Sequence, residues 1–323
     1  LDLTIFRTSF IAFLEKEVKV KEPQNLYSPI DYILQLGGKR VRPLLVLMSV
    51  NAFNKDFNKG LHAALAVEMF HNFTLLHDDI MDAAPLRRGK PTVHEKWDVN
   101  TAILSGDAMM ILANQYLEVY EADVYKKLMQ LFQQTALEVC EGQQFDMDFE
   151  NRDNVSIPEY IEMIRLKTSV LVAAALKMGA IIANSSDADA NAMYEYGLNL
   201  GLAFQLQDDY LDAFGDPKTF GKQIGGDIIE NKKTFLVLKA QESLKGEDLD
   251  LFAKLYTTNT VSTEEKIASV KDLFEKSGAV AAIKKEIKEY TLKAFGVLEP
   301  VTITEVTKNQ LIDFGNYLMG REV

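Results

Sequence analysis

Apolar residues recur every three to four positions along most of the chain, the spacing that lines one face of an α-helix. The pattern predicts helices near residues 1–19, 28–36, 42–53, 59–83, 100–120, 124–149, 157–184, 187–214, 230–242, 247–256, 263–275, 278–297 and 303–320. Few runs alternate apolar and polar residues as half-buried strands do. The eight prolines fall mostly between these segments, and Pro29, Pro43 and Pro158 suit a first helical turn. No linker, low-complexity tract or charge block divides the chain. The expected organisation is therefore one all-α domain over residues 1–323, built from a dozen or so helices. Two long apolar segments, 61–83 and 194–214, both end in DDxxD, which suggests two opposing helices with related roles.

Composition narrows the class. With 323 residues and 47% apolar side chains, the chain can bury a large core. A formal net charge of −12 argues against non-specific nucleic-acid binding and gives no support for an anionic membrane surface. The longest apolar run, VLVAAALKMGAIIA (170–183), is broken by Lys177 and falls short of the ~20 residues of a membrane span. Cys140 is the only cysteine, so no disulfide forms within the chain, which fits a reducing cytosol. The opening LDLTIFRTSFIAFLEKEVKV interleaves acids with apolar residues and is no signal peptide; it begins with Leu, so a few preceding residues are expected to be missing. A cytoplasmic protein is expected.

The acidic clusters carry the chemistry. Asp78, Asp79 and Asp82 close the first long segment; Asp208, Asp209 and Asp212 close the second. Residues four apart lie about 40° apart around a helix axis, so Asp78 shares a face with Asp82, and Asp208 with Asp212. Two carboxylates on one face repel, and acids at a helix C-terminus also oppose the macrodipole. One such cluster alone reads better as a solvated helix end. Two copies, each closing an apolar helix, point to hard cations. Oxygen ligands without His or Cys suit Mg²⁺, which seldom takes an all-protein cage and completes its shell with water or phosphate oxygens. A phosphorylated ligand is the expected partner.

Three basic stretches complement the acids. GGKRVRP (37–43) offers Lys39, Arg40 and Arg42; LRRGKP offers Arg87 and Arg88; and the Gly-rich loop at 215–234 offers Lys222 and Lys232. Each alone reads as a solvated surface, and none is a Walker motif. A glycine loop entering a helix can nonetheless gather amides and cations around a phosphate. Lys167 and Thr168 interrupt a mainly apolar helix, and His71 lies two turns before Asp78 on the Asp78/Asp82 face. Their plainer readings are a snorkelling lysine and a core histidine.

In order and spacing, GGKRVRP, DDIMD with RRGKPT, GQQFD (142–146), KTS (167–169), FQLQDDYLD and GKQIGGDIIENKKT resemble the trans-isoprenyl diphosphate synthases of the polyprenyl synthetase family. The resemblance covers nearly the whole chain. It implies the all-α isoprenoid synthase fold around a central cavity, usually as a homodimer, and Mg²⁺-dependent head-to-tail condensation of isopentenyl diphosphate with an allylic diphosphate. It further implies three Mg²⁺ ions on Asp78, Asp82 and Asp208, supported by Asp79, Asp209 and Asp212. Arg87, Lys167, Lys222 and Lys232 would hold the allylic diphosphate. Lys39, Arg42, His71 and Arg88 would hold isopentenyl diphosphate. Thr168 and Gln205 would lie near the developing cation, and Asp146 in the surrounding acidic shell.

Product length depends, by the same resemblance, on bulky residues upstream of the first DDxxD. At 1.5 Å per residue, Phe73 lies roughly 7.5 Å and Phe70 about 12 Å before Asp78. One Phe at Phe73, with Thr74 beside it, resembles geranylgeranyl diphosphate (C20) synthases; farnesyl (C15) and C25 or longer products are the alternatives. In an ideal helix Phe73 points nearly opposite the Asp78/Asp82 face. A terpene cyclase would carry Asn or Asp, then Ser or Thr, then Glu in place of DDYLD, and a non-catalytic partner subunit would tend to lose an acidic motif. Both sequence features favour condensation.

Overall fold

A computed structural model of the chain describes residues 3–216, 224–257 and 262–320. The described helices are α1 (Thr4–Glu17), α2 (Gln24–Gln35), α3 (Val41–Ala52), α4 (Leu61–Met81), α5 (Val93–Lys96), α6 (Val99–Gln115), α7 (Ala122–Glu150), α8 (Ile157–Ile164), α9 (Val170–Ile182) and α10 (Asp187–Phe214). Then come α11 (Gly226–Ile229), α12 (Phe235–Ser243), α13 (Glu247–Thr257), α14 (Thr263–Lys276), α15 (Ala279–Val297) and α16 (Glu305–Met319). Among the described residues the sheet is a single antiparallel ribbon, β1 (Leu86–Arg87) with β2 (Lys90–Pro91). No helix among them is long and apolar enough to cross a membrane.

The periodicity locates the helices but not their breaks. Pro29 sits inside α2 rather than in its first turn, because that helix already begins at Gln24 behind Pro23. The proline costs one ladder hydrogen bond, and burial of Ile30, Ile33 and Leu34 offsets it. The helix expected from residue 230 starts only at Phe235, because Asn231 takes a left-handed conformation (φ 57°) just after α11 ends at Ile229. The segment 157–184 is helical throughout, but its middle, Arg165–Ser169, winds as a π-type turn.

The chain forms two compact units, Leu1–Gln134 with Ala174–Met193 and Thr302–Thr304, and Thr135–Ala173 with Tyr194–Val301 and Glu305–Val323. In the first, α4 is buried all round between Ala63 and Phe70 and packs chiefly against α6 and α3, as a helix without a polar face must. In the second, Tyr160, Leu206, Leu236, Phe252, Phe274 and Ile283 belong to one buried cluster.

One buried ion pair anchors the first unit. Arg40, at the left-handed N-cap of α3, donates to the Glu68 carboxylate of α4 and to the Leu34 carbonyl of α2. The two side chains are 6% and 3% exposed. Asn72 also donates to Glu68, at 3.1 Å. The Arg40 charge is thus spent inside the fold, which removes it from the phosphate-binding set that GGKRVRP offers. Replacing Arg40 with Ala leaves Glu68 charged and buried. It should lower unfolding stability by about 3–5 kcal/mol, read as a fall in the urea midpoint.

Candidate active site

The first acidic motif sits where α4 stops. Ala84 N–H donates to the Asp79 carbonyl at 2.9 Å and Ala83 N–H to that of Ile80 at 3.2 Å, with Ala83 at φ 48°. This is a Schellman closure with alanine where glycine is usual. It leaves Asp82 exposed as the C-cap and Asp79 buried. The chain then enters the ribbon, whose two-residue turn, Arg88–Gly89, has positive φ at both positions, as a type I′ hairpin turn requires. That turn aims the two arginines apart. Arg87 grips Asp79 with three contacts of 2.7–2.9 Å, and Arg88 donates to the Gly37 carbonyl of the GGKR loop.

A basic cluster results. Arg42 Nη1 lies 3.2 Å from His71 Nε2. Burial first, and then the charge of Arg42, hold the His71 imidazole well below its usual range; Arg88, Arg87 and Arg40 act in the same direction. His71 is therefore neutral near pH 7 and accepts from Arg42. Burial, with Arg40 next, pulls Arg88 down as well. Lys39 is exposed on the same loop. Phe70 is fully buried, while Phe73 and Thr74 are half-buried, the Thr74 hydroxyl donating to the His71 carbonyl at 2.8 Å.

The second unit builds a chain of polar groups. Thr168 Oγ1 donates to Gln205 Oε1 at 3.1 Å, Gln205 Nε2 to Asp209 Oδ1 at 3.1 Å, and the Tyr160 hydroxyl to Asp209 Oδ2. Burial first, and then the charge of Asp227, push the Asp209 carboxyl well above the usual carboxylate range, while its hydrogen bonds act the other way. Burial and the Asp209 charge push the Tyr160 phenol up in turn. Lys167 pairs with Asp146 at 2.6 Å. The π-type turn that presents Lys167 and Thr168 fits against α7 only at Gly142, where a Cβ would lie 2.3 Å from the Lys167 backbone nitrogen. Such turns recur at functional sites. Asp212 accepts from Asp227 N–H at 3.0 Å and fastens the start of α11, and Lys232 pairs with Glu230 at 3.0 Å. Lys222 lies outside the described residues.

Comparison with known proteins decides the family. The model of the polyprenyl synthetase family matches residues 23–274. The chain belongs to the polyprenyl synthetase family. A geranylgeranyl pyrophosphate synthase of Geoglobus acetivorans is 38% identical over 312 residues, covering 96% of this chain and 95% of that one. A geranylfarnesyl diphosphate synthase of Natronomonas pharaonis is 40% identical over 247 residues, 71% of this chain and 72% of that one. A solved geranylgeranyl pyrophosphate synthase superposes with a TM-score of 0.96 at 53% identity and covers both chains completely. The fold is accordingly the all-α isoprenoid synthase fold, and the protein is a prenyltransferase that elongates prenyl chains.

Within this polyprenyl synthetase the acids suit Mg²⁺. Their donors are carboxylate oxygens, the ligand class that Mg²⁺ takes together with water and phosphate oxygens; among the described residues no group of three or more acidic, histidine or cysteine side chains is arranged to hold a metal ion. Two functional candidates escaped the sequence pattern. Asp227 is legible only as an acid behind two glycines, and Tyr160 carries no signal at all, because its partner lies 49 residues further on.

His71 makes a testable pH prediction. Its folded pKa lies well below the ordinary 6.5, so below about pH 6.5 the unfolded chain takes up a proton that the folded chain does not. Stability from this group is complete above that pH and is lost as pH falls. His71→Asn should lose less of its urea midpoint than the parent between about pH 7.5 and about pH 5.5.

Proposed function

We propose that this polyprenyl synthetase condenses isopentenyl diphosphate with allylic diphosphates and releases geranylgeranyl diphosphate (C20). One observation carries the product assignment: Phe73, the bulky residue before the first DDxxD, is packed into an aromatic cluster with Phe70 and His77. The geranylgeranyl synthases among its relatives support it, and the geranylfarnesyl relative keeps C25 as the competing product.

Asp78, Asp82 and Asp208 hold Mg²⁺, expected as three ions, with Asp79, Asp209 and Asp212 in support. When bound, the metal neutralises charge on the leaving diphosphate. Arg87, Lys167, Lys222 and Lys232 bind the allylic diphosphate, and Lys39, Arg42, His71 and Arg88 bind isopentenyl diphosphate. The residues act by position and charge, without a protein nucleophile. Asp79 and Asp146 orient Arg87 and Lys167 before substrate arrives, so little ordering remains at binding. The allylic C–O bond breaks with its electrons going to diphosphate. The isopentenyl double bond then forms the new C–C bond, and the proton lost passes to the departed diphosphate. Thr168 and Gln205 present oxygens toward the developing cation, held by the hydrogen bonds that end at Asp209 and Tyr160. A neutral His71 serves as a hydrogen-bonding partner rather than a charge. The two units work as one polyprenyl synthetase domain, as a cytoplasmic homodimer; the exposed Leu104 and Ile111 on one side of α6, 60% and 61% accessible, support a partner copy.

Purified protein with Mg²⁺, labelled isopentenyl diphosphate and C5, C10 or C15 allylic starters should give a single C20 alcohol after dephosphorylation. A C25 end point would overturn the product assignment. Asp78→Ala and Asp208→Ala should each lower kcat by roughly a hundredfold or more, the scale of a lost electrostatic stabiliser, with near-parental thermal midpoints. Full activity in either would remove it from the metal set. Phe73→Ala should lengthen the product.

A further inference from the structure

Phe73 is not held by its own backbone alone. Phe70, Phe73 and His77 fall within about 60° of one another around α4 at ~100° per residue. The Phe73 ring meets His77 edge-on at 4.8 Å and Phe70 at 5.5 Å. Phe70 is in turn fixed against Phe132 of α7 at 5.3 Å and is fully buried. On the other side, the His77 imidazole lies against α6 at Gly106: a Cβ there would come within 2.3 Å of Nε2, so the ring would have to move. Nε2 is also 3.3 Å from the Ile103 carbonyl, the arrangement of an N–H donor to that oxygen. The imidazole is therefore a wedge, braced on bare α6 backbone and bearing on Phe73.

We infer that His77 is a specificity-determining residue of this polyprenyl synthetase, a positioning residue that sets product length by bracing the Phe73 ring. The inference rests on Phe73 being the floor of the prenyl site. A Phe side chain beside an empty space rotates into it, since packing rather than torsion holds the ring. Removing the imidazole opens such a space on the α6 side, and the floor recedes. Gly106 is then as much a part of the chain-length device as the bulky residues, because any side chain there would displace the wedge.

The test compares Phe73→Ala, His77→Ala, His77→Gln and the double variant Phe73→Ala/His77→Ala, each assayed for product length with a C15 starter and for thermal midpoint. His77→Gln keeps an amide donor at the position of Nε2 for the Ile103 carbonyl while removing the ring, so it separates the brace from the tie to α6 and serves if the alanine variant folds poorly. Both His77 variants should raise the C25-to-C20 ratio by roughly tenfold or more, the scale on which an apolar pocket discriminates small changes in chain bulk. The double variant should match Phe73→Ala, because His77 acts through Phe73. Unchanged C20 product in both His77 variants, alongside lengthening in Phe73→Ala, would overturn the role of His77. A double variant that lengthens the product well beyond Phe73→Ala would also overturn it. Unchanged product in Phe73→Ala would overturn the floor assignment itself, and the brace with it.

Discussion

The bidentate contact between Arg87 and Asp79 ties the end of α4 to the β1–β2 ribbon, and much of the first unit's chemistry hangs from it. Asp79 is almost fully buried, and a carboxylate there without a cation would cost several kcal/mol. With Arg87 engaged, the ribbon turn is held in place and Arg88 reaches the Gly37 carbonyl. That contact sets the GGKR loop close to Arg42 and His71. The four arginines around His71 repel one another, and Glu68 and Asp79 are the buried acids that offset them. What remains is a positive surface with a neutral imidazole inside it.

The second unit meets the same constraint with a different device. Its carboxylates lie close enough that Asp227 raises the pKa of Asp209. A phenol and an amide, rather than a cation, satisfy the buried oxygens. A neutral donor network satisfies those oxygens without adding a positive charge, as an arginine would have. The π-type turn belongs to this design. It brings Lys167 to Asp146 and Thr168 to Gln205 from one short stretch, and Gly142 gives the space in which the turn meets α7.

Particular residues show how far the sequence was legible. The helices were, because a 3.6-residue period in apolar positions survives any tertiary arrangement. The two DDxxD motifs and the basic stretches were, because their spacing on a helix or loop is local. Arg40 was not: it sits among phosphate-binding candidates in GGKRVRP, yet its charge is consumed by Glu68, 28 residues away. Pro29 was misplaced because local punctuation yields to burial of the helix that contains it. Tyr160 had no local mark and Asp227 only the two glycines before it, since each matters through a carboxylate brought in by folding.

The sequence by itself determined that this chain is helical, that it carries two acidic helix ends and three basic loops, and that their order is that of a polyprenyl synthetase. Periodicity and motif spacing are one-dimensional and need no folded context. Only the tertiary structure decided which charges are already paired, which imidazole is neutral, and which glycine lets a side chain lie against bare backbone. Those depend on distances between residues far apart in the chain and on exclusion of water, and neither quantity is written in a local pattern.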